Sequence, residues 1–248
     1  MKIDNLNKVA LVTGGARRLG KVISLAVAES GYDIILNYNK TSPDIVKKTV
    51  EEIKKKGVNV FSLKCDVSNV KDIKRMFGKI KKKFHHIDLL INNSAIFKKI
   101  DFFDIDEKFF NKFIDTNLKS VLFCSIEGAK LMRNNKNGLS RIINIASLGG
   151  ILNWQDYIPY CVSKAGVIKL TKLMAKKLAP EILVNAIAPG TIYIDNDENV
   201  TVNMKEEKDY PLKRFGKEKD IKSLIKYLIN DNEFITGQTV VIDGGRCL

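Results

Sequence analysis

The sequence predicts a doubly wound α/β domain, a seven-stranded parallel sheet with helices on both faces, spanning residues 1–248 as a single unit. Three observations carry that expectation. Seven short apolar runs recur along the chain, rich in β-branched residues and apolar on both parities, as strands buried on both faces must be. Helix-length amphipathic stretches separate them, and strand–helix alternation implies right-handed crossovers between parallel neighbours. A glycine-rich turn, TGGARRLG at residues 13–20, joins the first run to the first helical stretch.

The elements follow in order. The first run, KVALVTG, enters that turn, where backbone N–H groups at a helix start can face an anion. The second, DIILNYN, leads to Asn39, Lys40, Thr41 and Ser42. Ser42, Pro43 and Asp44 read as an N-cap, a proline at the first helical position and an acid in the first turn. Gly31 and Gly57 stand where helix C-caps are expected. The third run, VNVFSLKCD, delivers Asp66 and Val67; the fourth, IDLLINNSA, ends on the polar residues 92–95. The fifth, RIINIAS, ends at Ser147, the sixth, ILVNAIAP, at Pro189 and Gly190, and QTVVIDGG is the last. In open parallel sheets ligands bind at the carboxyl ends of the strands, where these polar residues fall.

Composition narrows the classes. At 45% hydrophobic residues the chain can build one full core, and no linker, repeat or low-complexity tract divides it. The first strand begins within a few residues of Met1, leaving no room for a signal peptide, and no apolar stretch approaches a membrane span. Cys65, Cys124, Cys161 and Cys247 are scattered without a CxxC pair, the pattern of a reduced cytoplasmic protein without a metal site. The formal charge of +14 comes mainly from lysines interleaved with acids and apolar residues on helix faces. That is the pattern of solvated faces, and nucleic acid is not an expected partner.

Two nucleotide motifs compete for the first turn. GARRLGK fits most of a P-loop, but Val22 stands where a magnesium-binding hydroxyl is required. Read from Thr13, the turn resembles the T-G-x-x-x-G-x-G of the short-chain dehydrogenase/reductase family. The remaining motifs of that family follow in order: Asp66-Val67, NNSA with Asn93, Asn117, Ser147, Tyr160-x-x-x-Lys164, and Pro189-Gly190 with Ile192 beyond. The resemblance implies a Rossmann fold, a small-molecule substrate and a homotetramer built on the helices preceding Ser147 and containing Tyr160. It implies that Asn117, Ser147, Tyr160 and Lys164 are catalytic, with Lys164 also gripping the cofactor ribose and Asn117 positioning Lys164. Gly14, Arg17, Arg18, Leu19, Asn39, Lys40, Thr41, Asp66, Val67, Asn93, Tyr160, Lys164, Pro189, Gly190 and Ile192 are the expected cofactor contacts.

Chemistry adds detail. A phenol with pKa ~10 needs its anion stabilised to act near neutrality, and Lys164, one helical turn on, is expected to do so. Tyr157 lies seven residues before Lys164, the spacing of the related enoyl-thioester reductases, and is read with Trp154 and Ile158 as substrate-pocket wall. The second strand ends without the acid that accepts bonds from an NAD ribose, while Lys40 and Arg17 suit a 2′-phosphate, so NADPH is the expected cofactor. Arg18 replaces the family's middle glycine and resembles the pteridine reductase branch, as do APGTIYI and Arg246 near the end. Ser147 points towards the 3-oxoacyl-carrier-protein reductase side instead. The substrate therefore stays open between a 3-oxoacyl thioester or ketone and a dihydropterin, with Arg18 facing both cofactor and substrate. The acidic stretch within 192–210 is expected to be a mobile lid. A non-catalytic dinucleotide sensor on the same fold is the alternative.

Overall fold

The computed structural model describes residues 8–135, 138–194 and 204–248. Elements follow in the order β1 (Val9–Val12), α1 (Arg18–Ala28), β2 (Asp33–Tyr38), α2 (Pro43–Lys54), β3 (Val60–Lys64), α3 (Val70–Phe84), β4 (Leu89–Asn92) and α4 (Glu107–Phe113). Then come α5 (Ser120–Met132), β5 (Ser140–Ile145), α6 (Ile158–Leu178), β6 (Ile182–Pro189), β7 (Ile192–Tyr193), β8 (Gly216–Lys217), α7 (Glu218–Asn230) and β9 (Thr239–Ile242). Seven of the strands form one sheet in the order β3-β2-β1-β4-β5-β6-β9, every pairing parallel.

Both faces are covered, and β1 shows why its run is apolar on both parities. Val9 and Leu11 pack into a core with residues of α3, α5 and α6. Ala10 and Val12 point the other way, into a core with residues of α1, α2 and α7. The chain walks outward from β1 to β3, then returns to lay β4 on the other side of β1. This reversal opens a crevice above the carboxyl ends of β1 and β4.

Three local details add to the sequence reading. Ser42 caps α2 with its backbone only, its side chain accepting no hydrogen bond, while Gly31 and Gly57 take φ +83° just beyond the α1 and α2 C-caps. Between α4 and α5 the helix widens into a π segment, Ile114–Lys119, a device that often marks a functional site. The expected lid is anchored at both ends. Ile192 lies in β7, which pairs with β8, and the Tyr210 hydroxyl donates to Thr191 Oγ1 at 3.0 Å. Residues 195–203 of that stretch lie outside the described residues. Arg246 engages the far end, with its guanidinium 5.5 Å from the Tyr210 ring centre and 3.4 Å from the Asp209 carboxylate. Among the described residues no helix is long and apolar enough to cross a membrane.

Candidate active site

The glycine turn is held by side chains from three sides. Asn93 Nδ2 donates to the carbonyls of Thr13 (3.0 Å) and Gly14 (3.2 Å), and the Thr13 hydroxyl accepts from the Asn93 and Ser94 amides. Asn37, buried in β2, accepts from the Gly14 amide, and Thr49 on α2 donates to the Ala16 carbonyl. A Cβ on Gly20 would stand 2.0 Å from the Gly14 carbonyl oxygen, so no other residue fits where α1 crosses the turn. The first turn of α1 carries no acid, and the positive end of the helix dipole there favours an anion.

Arg18 is the first residue of α1 and has φ +51°, in the left-handed region. That conformation is nearly free for glycine and costs another residue about 1–2 kcal/mol. The arginine thus occupies a position whose backbone favours glycine. Arg17 is extended at the α1 N-cap, and both guanidinium-bearing residues are exposed; Leu19 packs on the α1 core.

The ends of β2 and β3 meet beside this turn. Asp66 is partly buried, which pushes its pKa up, but hydrogen bonds from Ser68 and Asn39 and the charge of Lys40 outweigh that and hold it below the usual carboxylate range. Ser68 contributes both its hydroxyl (2.7 Å) and its amide (3.0 Å). Asn39 and Lys40 are thereby brought to Asp66 and Val67, with Thr41 partly exposed next to them. On the other side of the crevice, β6 ends at Pro189, and the Gly190 amide bonds the Ile242 carbonyl before β7 begins at Ile192.

Ser147 lies just past β5, with its Oγ accepting from the Gly149 amide at 3.1 Å. Tyr160 and Lys164 share a face of α6, and the structure joins all three. Tyr160 is hydrogen-bonded to Ser147, and Lys164 Nζ lies 5.9 Å from the Tyr160 ring centre. Burial pushes the Tyr160 phenol up to about 12, with the Ser147 hydrogen bond acting against it. Lys164 is buried, its Nζ donates to the Ile145 carbonyl at 2.6 Å, and burial lowers its pKa to about 8. The lysine ammonium is thus directed to a backbone carbonyl, and burial is the largest influence on both groups. Asn117 reaches α6 through Ser163. Its amide is fully buried in the π segment and exchanges hydrogen bonds with the backbone of Ile96 (2.8 and 3.0 Å). It also donates to Ser163 Oγ (3.1 Å), which in turn donates to the Tyr160 carbonyl.

The lowered Lys164 pKa has a measurable consequence. Between about pH 8 and the ordinary lysine pKa, ~10.4, the unfolded chain keeps a proton that the folded chain has released, so this group makes stability rise with pH. Lys164→Met is expected to flatten that rise, as read by urea unfolding of parent and variant at about pH 7.5 and about pH 9.5. Equal changes in the two proteins would contradict it.

Trp154 and Tyr157 flank Tyr160, and one residue missed in the sequence completes their group. Phe97, from the segment after β4, stacks on Tyr157 (4.5 Å, 3°) and meets Tyr160 edge-on (4.8 Å, 74°). Trp154 lies parallel to Tyr160 at 6.4 Å. The Lys99–Asp156 ion pair (2.7 Å) and the Ile100 amide bonded to the Asp156 carbonyl tie the two segments together. Tyr157 thus faces Phe97, while Tyr160 holds the position next to Ser147 and Lys164.

Comparison with known proteins identifies the family. A family model described as enoyl-(acyl carrier protein) reductase matches residues 14–246. The chain is similar to the 3-oxoacyl-[acyl-carrier-protein] reductase of Staphylococcus epidermidis, 38% identical over 97% of this chain and 99% of that protein. The 2-dehydro-3-deoxy-D-gluconate 5-dehydrogenase of Escherichia coli is 33% identical over 96% of this chain and 94% of its own. The crystal structure of 3-oxoacyl-[acyl-carrier protein] reductase from Brucella melitensis in complex with NAD superposes with a TM-score of 0.89, at 27% identity over 98% of each chain. Matched over nearly its whole length by the family model and by relatives up to 38% identical, the chain belongs to the short-chain dehydrogenase/reductase family of oxidoreductases.

Proposed function

We propose that this protein is a cytoplasmic NADPH-dependent reductase acting on the 3-oxo group of an acyl thioester or a comparable ketone. The observation that carries the reading is the Tyr160 hydroxyl, hydrogen-bonded to Ser147 with Lys164 beneath its ring. The relatives named for 3-oxoacyl-carrier-protein reduction support the substrate class. The turn fits a dinucleotide: its backbone is held by Asn93, Thr13 and Asn37, Gly20 lets α1 cross close against it, and it leads into the N-terminus of α1. Gly14, Arg17, Arg18 and Leu19 would hold the pyrophosphate, Asp66, Val67 and Asn93 the adenine side, and Pro189, Gly190 and Ile192 the nicotinamide side.

When bound, NADPH supplies the hydride. Ser147 hydrogen-bonds the substrate carbonyl oxygen and orients it, and Tyr160 Oη donates a proton to that oxygen as negative charge develops there. Lys164, poised near neutrality, grips the nicotinamide ribose and returns the proton to Tyr160; Asn117 braces the turn of α6 that carries both through Ser163. The test is NADPH consumption with a 3-oxoacyl thioester, against dihydropterin as the second substrate. No turnover of either compound or of small ketones would leave the sensor alternative standing.

Cofactor choice follows from Asn39, Lys40 and Thr41 at the end of β2, where no acid stands. NADPH is expected to bind about tenfold or more tightly than NADH, the scale of one charge-assisted hydrogen bond. Lys40→Asp and Arg17→Ala should each shrink the preference in fluorescence titrations, and equal affinities in the parent would refute it. Self-association through α5 and α6 is supported by the exposed Ile126, Val162 and Leu173, with sedimentation as its test.

A further inference from the structure

Behind the reacting side chains, four buried polar residues from four elements form one chain of hydrogen bonds. Asn92 Nδ2, at the end of β4, donates to Ser125 Oγ on α5 (3.0 Å) and to Asn144 Oδ1 on β5 (2.9 Å). Asn144 Nδ2 donates to Thr171 Oγ1 on α6 (2.9 Å), and the Thr171 hydroxyl donates to the Val167 carbonyl (2.8 Å). All four side chains are buried, Asn144 and Thr171 completely. Each partner in such a dry network is costly to lose, because it strands a buried donor or acceptor.

The position of Thr171 gives this chain a role. It lies seven residues after Lys164 and eleven after Tyr160 on α6, two and three helical turns, so all three project from one face. That face meets β5 and the residue just beyond it at three successive points. Thr171 bonds the Asn144 side chain, Lys164 the Ile145 carbonyl, and Tyr160 the Ser147 side chain. As the crossover between parallel strands, α6 runs back along β5, so the contacts follow in register. In the reaction proposed above, Tyr160 and Lys164 must exchange their partners for substrate and ribose. Only the Thr171–Asn144 bond is free to stay in place throughout.

We propose that Asn144 and Thr171 are positioning residues. Anchored through Asn92 and Ser125 to β4 and α5, they fix the axial position of α6 so that Tyr160 and Lys164 stay aligned while their own contacts to β5 are released. The inference rests on the catalytic reading of Tyr160 and Lys164. Its test therefore carries a readout that needs no substrate.

Thr171→Val keeps the shape of the side chain and removes the hydroxyl; Thr171→Ser restores it. In Thr171→Val, kcat for the 3-oxoacyl thioester is expected to fall about tenfold with KM for NADPH within about twofold, the signature of misalignment rather than lost binding. Amide hydrogen exchange across 158–166 should rise about fivefold or more while β1–β3 remain protected. Thr171→Ser should recover both. Unchanged exchange in 158–166, or exchange raised evenly across the fold, overturns the proposal, and so does a kcat loss that Thr171→Ser fails to recover. A parent enzyme inactive on every carbonyl tried would instead overturn the reductase reading, and the exchange measurement would still decide this one.

Discussion

Replacing Tyr160 with phenylalanine is expected to lower kcat by on the order of 10² or more, while NADPH binding stays nearly intact. The ring is held between Phe97 and Trp154, and phenylalanine fills the same space, so the aromatic packing survives the change. What is lost is the hydroxyl that meets Ser147, and with it the proton for the substrate oxygen. The factor corresponds to about 2.7 kcal/mol of barrier, more than a neutral hydrogen bond contributes to stability, so the activity loss should far exceed any change in unfolding free energy. Tyr157→Phe is the control. Tyr157 stacks on Phe97, and its truncation should leave kcat within a few-fold of the parent. Stopped-flow turnover with both variants checks the pair; full activity in Tyr160→Phe with loss in Tyr157→Phe would reverse the assignment.

The parts legible in the sequence are those set by local pattern. Strands buried on both faces must be apolar at every position, and β1, with Val9 and Leu11 in one core and Ala10 and Val12 in the other, is such a case. What escaped depends on contacts distant in sequence or on burial. Phe97 reaches Tyr157 and Tyr160 from the far side of the crevice, about sixty residues earlier, and no spacing rule connects them. Asn37 carried a signal that could have been used: an amide inside an apolar strand needs a buried partner, which the Gly14 amide supplies. The π segment at Asn117 keeps a helical hydrophobic pattern on both sides and so leaves no mark. The β7–β8 pair is two residues on each side, too short to show a period. The i, i+4 spacing of Tyr160 and Lys164 correctly put them together, yet their proton affinities are governed by desolvation, which spacing does not reveal.

Arg18→Gly is expected to move two quantities in opposite directions. At φ +51° the arginine backbone is strained, and glycine in its place should stabilise the fold by up to about 1 kcal/mol after its own entropic cost. The same change removes a guanidinium from the first turn of α1, at the positive end of the helix dipole. Loss of one charge-assisted hydrogen bond to a pyrophosphate is worth about 1.5–3 kcal/mol, so the dissociation constant for NADPH should rise roughly ten- to hundredfold. A variant that is more stable yet binds cofactor more weakly cannot be explained by damage to the fold, which makes the pair of signs diagnostic. Thermal unfolding without ligand and fluorescence titration with NADPH measure the two. The guanidinium plane also offers a stacking surface for a flat heterocycle. If the substrate is a dihydropterin, kcat/KM for it should fall beyond the loss explained by cofactor affinity, while small ketones show only the cofactor effect. An unchanged dissociation constant would mean that the strain at Arg18 serves no cofactor contact, and the assignment of this residue to the pyrophosphate would fall.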